Sequence, residues 1–105
     1  MELKVEWTDF AKGELKRIFL YYKIEVNITI AKKIISGIVD ATLKLKTQPS
    51  IGQVEELLKN DTREFRYLVY QNFKIIYLVA LKDNSITIYD VFDTRQNPVK
   101  MSRSN

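Results

Sequence analysis

The first seven residues alternate between apolar and charged side chains. Leu3, Val5 and Trp7 are each separated from the next by a charged residue. A period of two is typical of a strand that buries one face and exposes the other. The pattern therefore predicts an N-terminal strand.

The pattern then changes to the spacing of an amphipathic helix. Thr8 can accept a hydrogen bond from the first turn of a helix, and Asp9 places negative charge at the positive helix end. We therefore predict a first helix over residues 9–22. Its apolar stripe consists of Ala11, Leu15, Ile18 and Tyr22.

A second helix follows after a short join. Asn27 and Thr29 are alternative starts, and Pro49 ends the pattern because proline lacks a backbone N–H and disfavours helical geometry in the residue before it. The stripe consists of Ala31, Ile35, Ile38, Thr42 and Leu45, widened by Ile34 and Val39. Two such helices form a hairpin that is apolar on one side, and this side must pack against a sheet.

Three strand-like runs occupy the last third of the chain. Residues 65–69, 73–79 and 86–91 are rich in Ile, Val, Tyr and Phe, which sheets favour. Asp83 and Asn84 supply a turn between the second and third runs. Residues 53–62 fit either a short helical turn or a loop, and we assign no element to them.

The order of elements is β-α-α-β-β-β. It predicts an α+β fold in which the N-terminal strand and the helical hairpin pack on one face of a mainly antiparallel sheet. A chain of 105 residues with 46% hydrophobic content is long enough for one core and too short for two. We expect a single domain over residues 1–100 and a loose tail over residues 101–105.

Composition restricts the chemistry. Cysteine and histidine are both absent, which excludes disulfides, thiolate metal sites and the commonest general base. We expect no metal and no cofactor, so any catalysis must use Lys, Arg, Tyr, Asp or Glu. A net charge of +4 fits an anionic partner such as RNA, DNA or an acidic peptide. With no signal-peptide pattern and no membrane-length apolar run, we expect a cytoplasmic protein without membrane contact.

Four side chains near the strand runs are candidates for function. Lys74 places a charge inside an apolar run, and Arg66 and Arg95 are the nearest other cations. Two of them have an ordinary structural alternative: Lys74 on the solvent side of a strand, and Arg95 in an ion pair with Asp93 at the strand exit. Tyr67 either packs across the strands or stacks on a base or a partner protein.

Two strings in the last third carry a family resemblance. They are Arg66-Tyr-Leu-Val-Tyr-Gln-Asn-Phe-Lys-Ile-Ile-Tyr77 and Val91-Phe-Asp-Thr-Arg-Gln-Asn-Pro98. Together with the order of elements, they resemble the RelE/ParE superfamily of bacterial type II toxin-antitoxin systems. The resemblance extends from Trp7 through Pro98.

The resemblance implies a toxin that a cognate antitoxin neutralises by wrapping it, with promoter DNA bound only through the antitoxin. RelE-like members cleave messenger RNA on the ribosome with a cluster of basic residues, and ParE-like members inhibit DNA gyrase. This chain has Leu68 and Val69 where RelE-like toxins tend to carry further basic residues, and no tyrosine follows Tyr89. Its long helical hairpin also looks more like the ParE branch, which implies a non-enzymatic inhibitor.

The alternatives give the candidate residues different roles. If the chain is a ribonuclease, Lys74 is the candidate base or phosphate ligand, and Arg66 and Arg95 stabilise the developing charge. If it binds a target or antitoxin, the candidate contacts are Tyr67, Leu68, Ile76 and Leu78, with an exposed apolar patch around Ile76 or Leu78. A third alternative is a basic binding domain without toxicity.

The register of the hairpin at Gln71 and Asn72 distinguishes these roles. A two-residue loop opposes Arg66 to Tyr77, so that Lys74 shares a face with Tyr67 and not with Arg66. A three-residue loop instead places Arg66, Leu68 and Lys74 on one face. The resemblance favours the shorter loop, which splits the basic residues.

Overall fold

Two helices cover one face of a five-stranded sheet in this protein, whose computed structural model describes residues 2–56 and 63–95. The elements are β1 (Lys4–Trp7), α1 (Asp9–Glu25), α2 (Ile28–Leu43), β2 (Gln53–Val54), β3 (Phe65–Tyr70), β4 (Phe73–Ala80) and β5 (Ser85–Asp93). The strand order is β1-β5-β4-β3-β2, with β1 parallel to β5 and the other pairs antiparallel. The predicted α+β fold is confirmed, and the predicted tail lies outside the described residues.

Both helices start at the polar residues that the sequence offers as caps. The Thr8 hydroxyl accepts a hydrogen bond from the Ala11 N–H at 3.0 Å, and the Asn27 side chain accepts one from the Ile30 N–H at 2.8 Å. Each bond satisfies a first-turn N–H that has no partner within the helix. Asn27 is therefore the start of α2.

The helix ends differ from the prediction. α1 continues three residues past Tyr22, and α2 ends at Leu43, well before Pro49. A short 3₁₀ turn over Lys44–Lys46 follows α2 and buries Leu45 in the core. The tighter turn allows the chain to leave the helix while its last apolar side chain remains buried.

The main core lies between the helices and the sheet. Each predicted apolar stripe contributes to it, and β4 and β5 supply its centre because they are the middle strands. Its buried members are Leu3, Ala11, Ile34, Ile38, Leu45, Phe73, Ile75, Tyr77, Ile86, Ile88 and Val91.

The hairpin between β3 and β4 has the shorter of the two predicted loops. Tyr70 opposes Phe73 and Arg66 opposes Tyr77, so the loop consists of Gln71 and Asn72 alone. Gln71 adopts a left-handed conformation with a φ of 54°. Side chains on one strand alternate between faces, so this loop places Leu68 toward the helices and Lys74 on the opposite face.

The short strand β2 was not predicted, and a buried tyrosine holds the segment in front of it. The Tyr77 hydroxyl donates to the Pro49 carbonyl at 2.8 Å and accepts from the Gly52 N–H at 3.0 Å. Burial raises the pKa of this phenol, so it remains a neutral donor. A two-residue strand produces no periodic pattern in a sequence, which explains why residues 53 and 54 gave no prediction.

Gly37 in α2 lies directly against the Tyr70 side chain of β3. A β-carbon built at this residue would overlap the hydroxyl end of the Tyr70 side chain. Gly13 in α1 has no neighbouring atom within 4 Å of the same position. The two helical glycines therefore differ in what surrounds them, although alanine has the higher helix propensity at both.

This difference gives a test of how α2 sits on the sheet. We expect Gly13→Ala to raise the free energy of unfolding by about 0.5–1 kcal/mol through helix propensity. Gly37→Ala has the same gain in helix propensity but forces the Tyr70 ring to move. Its free energy of unfolding should therefore be lower than that of Gly13→Ala by about 1–3 kcal/mol. Urea unfolding of the two variants and the wild type measures both values. Equal stabilisation by the two variants would contradict the packing of Tyr70 on Gly37.

Candidate functional site

The face of the sheet that points away from the helices carries most of the predicted site residues. We call it the open face. On β3 and β4 it comprises Phe65, Tyr67, Val69, Lys74, Ile76 and Leu78. Three of the four candidate contact residues, Tyr67, Ile76 and Leu78, therefore lie on the open face. Leu68 does not, because it packs against the helix-side core.

The open face has its own small core. Phe65, Ile76 and Phe92 are buried there, and Tyr67, Leu78 and Tyr89 pack around them. Ile76 is only 2% exposed, so the predicted exposed patch is wrong for this residue, whereas Leu78 is half-buried and partly accessible. The reason is that aromatic side chains from β3 and β5 cover Ile76, without any help from the helices.

A bulge in β5 supplies one of these aromatic residues. Ile76 pairs with Asp90 and Tyr77 pairs with Ile88, which leaves Tyr89 as the extra residue. The Tyr89 ring meets the Phe65 ring edge-on, with centroids 5.1 Å apart. The Arg63 guanidinium lies 4.8 Å from the centre of the Phe65 ring. Because the bulge interrupts the period of two, periodicity could not place Tyr89 on the open face, and Arg63 lies before the strand-like run that begins at Phe65.

Lys74 lies on the open face in a largely buried ion pair. Its ammonium is 2.7 Å from a Glu55 carboxylate oxygen and 4.1 Å from the centre of the Tyr67 ring. The side chains of Lys74 and Glu55 are 18% and 3% exposed, so Lys74 does not occupy the solvent-facing position of an ordinary strand lysine. The Tyr67 hydroxyl donates to the Gln53 side chain at 2.9 Å, which ties the ring to the same segment as Glu55.

Arg66 lies on the other side of the sheet. Its guanidinium donates to the Gly52 carbonyl at 2.8 Å and to the Glu64 carboxylate at 3.0 Å. The bond to Gly52 holds the loop in front of β2 against the helix-side face. The structure therefore separates Arg66 from Lys74, as the two-residue loop predicts.

Arg95 lies beside α1 rather than beside the open face. Its guanidinium donates to the Asp93 carboxylate at 2.7 Å and to the Tyr22 hydroxyl at 3.1 Å. The predicted ion pair at the exit of β5 is thus confirmed. The Arg95 hydrogen bonds lower the pKa of the Asp93 carboxyl from 3.8 to about 2, and Asp93 in turn raises the pKa of Arg95.

The three candidate cations do not converge on one position. Each contacts a different carboxylate: Lys74 with Glu55, Arg66 with Glu64, and Arg95 with Asp93. Within residues 2–56 and 63–95, no group of acidic residues is arranged to hold a metal ion. No helix in the same ranges is long and apolar enough to cross a membrane.

Most of the chain matches one known protein family. Residues 5–98 match the family described as the ParE toxin of the type II toxin-antitoxin system, parDE. The chain belongs to the ParE toxin family. This membership confirms the resemblance to the RelE/ParE superfamily and the preference for its ParE branch. No curated protein matches the sequence.

Solved structures of toxin-antitoxin proteins share the fold of this ParE family member. A chain of the chromosomal ParDE system from P. aeruginosa is similar at a TM-score of 0.71 and 19% identity, over 88% of this chain and 96% of that one. A chain of the RelBE2 toxin-antitoxin complex from Mycobacterium tuberculosis is similar at a TM-score of 0.65 and 14% identity, over 89% and 92%. At these identities the likeness establishes the fold alone.

The burial of the Lys74–Glu55 pair predicts a strong energetic coupling. We expect a double-mutant cycle of Lys74→Met and Glu55→Gln to give a coupling energy of about 1.5–3 kcal/mol, because both groups are largely removed from water. Urea unfolding of the four proteins measures it. The exposed Lys4–Glu6 pair, at 3.3 Å, is the matched control and should couple by less than about 1 kcal/mol. Similar coupling in both pairs would mean that burial of Lys74 adds nothing.

The low pKa of Asp93 predicts a dependence of stability on pH. Because the folded pKa is below the unfolded value of 3.8, the contribution of Asp93 is present above pH 3.8 and is lost as the pH falls toward about 2. Over that pH range, the free energy of unfolding of Asp93→Asn should therefore fall less than that of the wild type. Urea midpoints at a series of pH values compare the two proteins. Parallel curves would show that Arg95 does not hold the carboxylate in its charged form.

Proposed function

We propose that this protein is the toxin of a type II toxin-antitoxin pair, that it inhibits DNA gyrase, and that a cognate antitoxin neutralises it. Membership of the ParE toxin family supports the toxin assignment. One observation favours gyrase over messenger RNA as the target: Arg66 and Lys74 lie on opposite faces of the sheet.

Cleavage of RNA makes a demand that this arrangement does not meet. A base must approach the attacking 2′-hydroxyl while cations contact the same phosphate, so all these groups must lie within a few ångströms of one another. Lys74 is closed off by Glu55 and the Tyr67 ring, so its ammonium would have to leave the Glu55 carboxylate before it could approach a substrate. Arg95 contacts α1, away from the open face. Inhibition by binding needs no such cluster.

An antitoxin is the partner that the comparisons favour. Both similar structures come from toxin-antitoxin systems, and promoter DNA would be bound through the antitoxin. Of the predicted contact residues, Tyr67 and Leu78 are half-buried on the open face, and Val69 is exposed beside Tyr67, at the other end of β3 from the residue that pairs with Leu78. These three side chains are where we expect a partner to touch the open face. Leu68 and the buried Ile76 would support it from beneath.

Growth experiments test the toxin assignment. We expect inducible expression in a bacterium to arrest growth, and co-expression of the neighbouring reading frame to relieve the arrest. A frame-shifted copy of the gene is the control for the cost of expression. Unaffected growth at confirmed expression of folded protein would instead support the basic binding domain without toxicity.

The proportion of toxin to target separates the two toxic mechanisms. A gyrase inhibitor that acts by binding should block supercoiling only at amounts comparable with the enzyme, and it should leave transcripts intact. A ribonuclease turns over, so it should cleave translated messenger RNA at amounts far below that of the ribosomes. Titration of the purified protein into a supercoiling assay and a translation assay measures both. Cleavage at low ratios with unchanged supercoiling would overturn the gyrase proposal.

A further inference from the structure

A cleft lies at one end of the sheet, where β3 begins and β4 ends. Its apolar lining consists of Leu78 and Val79 at the end of β4, Leu81 in the 3₁₀ turn that follows, and Pro49. We call it the end cleft. Its volume is about 250 Å³. Pockets for whole small molecules measure about 300–1,000 Å³, so the end cleft suits one or two side chains rather than a cofactor.

The end cleft contains a cation in a fixed position. Arg66 lines the cleft, and its guanidinium donates to the Gly52 carbonyl at 2.8 Å. The Arg66 side chain is only 23% exposed. A guanidinium has five N–H donors, so one bond to a carbonyl can fix its orientation while other donors face a carboxylate. A cation held in this way loses little conformational freedom when it binds a ligand.

A carboxylate of the chain itself already contacts this cation. Glu64 lines the same cleft and accepts a hydrogen bond from Arg66 at 3.0 Å, but the Glu64 side chain is 64% exposed. An ion pair with a largely exposed partner contributes little to stability. Glu64 can therefore turn into solvent without a large loss. Its position also shows which chemical group Arg66 accepts at this point of the surface.

The apolar part of the end cleft determines what must accompany the carboxylate. Leu81 is 72% exposed, and Leu78 and Val79 are half-buried. A small free anion such as phosphate would contact Arg66 but would leave this apolar surface uncovered. A peptide that carries an aliphatic side chain beside an acidic one matches both parts. The net charge of +4 also favours the approach of an acidic segment over a basic one.

We infer that the end cleft binds an acidic peptide segment of a partner protein. The peptide carboxylate replaces Glu64 on the Arg66 guanidinium, and a neighbouring aliphatic side chain covers Leu81 and the end of β4. Binding of this kind is measured on the purified chain, so its outcome is independent of whether the protein is toxic or inhibits gyrase.

NMR titration of the isotope-labelled chain with blocked tripeptides tests the inference. We expect acetyl-Leu-Glu-Leu-amide to shift the backbone amide signals of Ser50, Val79 and Leu81, which line the cleft. Acetyl-Leu-Gln-Leu-amide has the same shape without the charge. It should bind at least about ten-fold more weakly, because it loses a charge-assisted hydrogen bond to Arg66. Acetyl-Gly-Glu-Gly-amide keeps the charge but should also bind more weakly, because it lacks the aliphatic side chains.

A variant of the apolar lining tests the position of the peptide. Leu81→Asp should weaken binding of acetyl-Leu-Glu-Leu-amide by at least about ten-fold, because it removes apolar contact and adds a like charge. Ile24→Asp is the matched control, since Ile24 is 78% exposed. It follows Tyr22, whose ring packs on Phe73 at the other end of β4 from the cleft. The control should bind the peptide like the wild type.

A variant of Glu64 tests the displacement. Glu64→Gln removes the competing carboxylate and should tighten binding of acetyl-Leu-Glu-Leu-amide several-fold. Glu25→Gln is the control for net charge, because it removes one exposed carboxylate beside Ile24. A Glu64→Gln variant that binds no tighter than Glu25→Gln would contradict the displacement of Glu64. Equal binding of the Glu and Gln tripeptides, unchanged binding by Leu81→Asp, or no shifts around the cleft would overturn the inference.

Discussion

The two-residue turn at Gln71 and Asn72 is the constraint on which the arrangement of both sheet faces depends. It requires Gln71 to adopt a left-handed conformation, and Thr94 secures the turn by donating its N–H and hydroxyl to the Asn72 carbonyl at 2.8 and 3.0 Å. Because side chains alternate along a strand, one extra residue in this turn would move every side chain of β3 to the other face. The turn therefore decides that Arg66 faces the helices while Lys74 faces away from them.

The segment from Pro49 to Glu55, which includes β2, connects those two faces around the edge of the sheet. On the helix side, the buried Tyr77 hydroxyl and the Arg66 guanidinium hold the backbone at Pro49 and Gly52. On the open side, Glu55 reaches the Lys74 ammonium. Since β2 pairs with only two residues of β3, these side-chain contacts rather than the strand ladder hold the segment at the edge. The same contacts withdraw two of the basic residues from solvent.

The result is a basic protein whose candidate functional cations are each held by a carboxylate on a different part of the surface. This distribution suits a protein that acts by binding, because binding surfaces can be spread out while phosphate chemistry must be concentrated. It is consistent with membership of the ParE toxin family. Within residues 2–56 and 63–95, the rim of the open face around Val69 is one exposed apolar surface that remains available.

The sequence by itself determined the elements whose cause is local. The caps at Thr8 and Asn27, the helical stripes, four of the five strands and the family resemblance can all be seen along the chain, and the absence of histidine restricts its chemistry. Only the tertiary structure decided the contacts between distant residues, such as Glu55 with Lys74. It also decided that Ile76 is covered, because the Tyr89 bulge and the neighbouring rings come from other strands. Periodicity reports which side of an element is apolar, but not what the rest of the chain places against it.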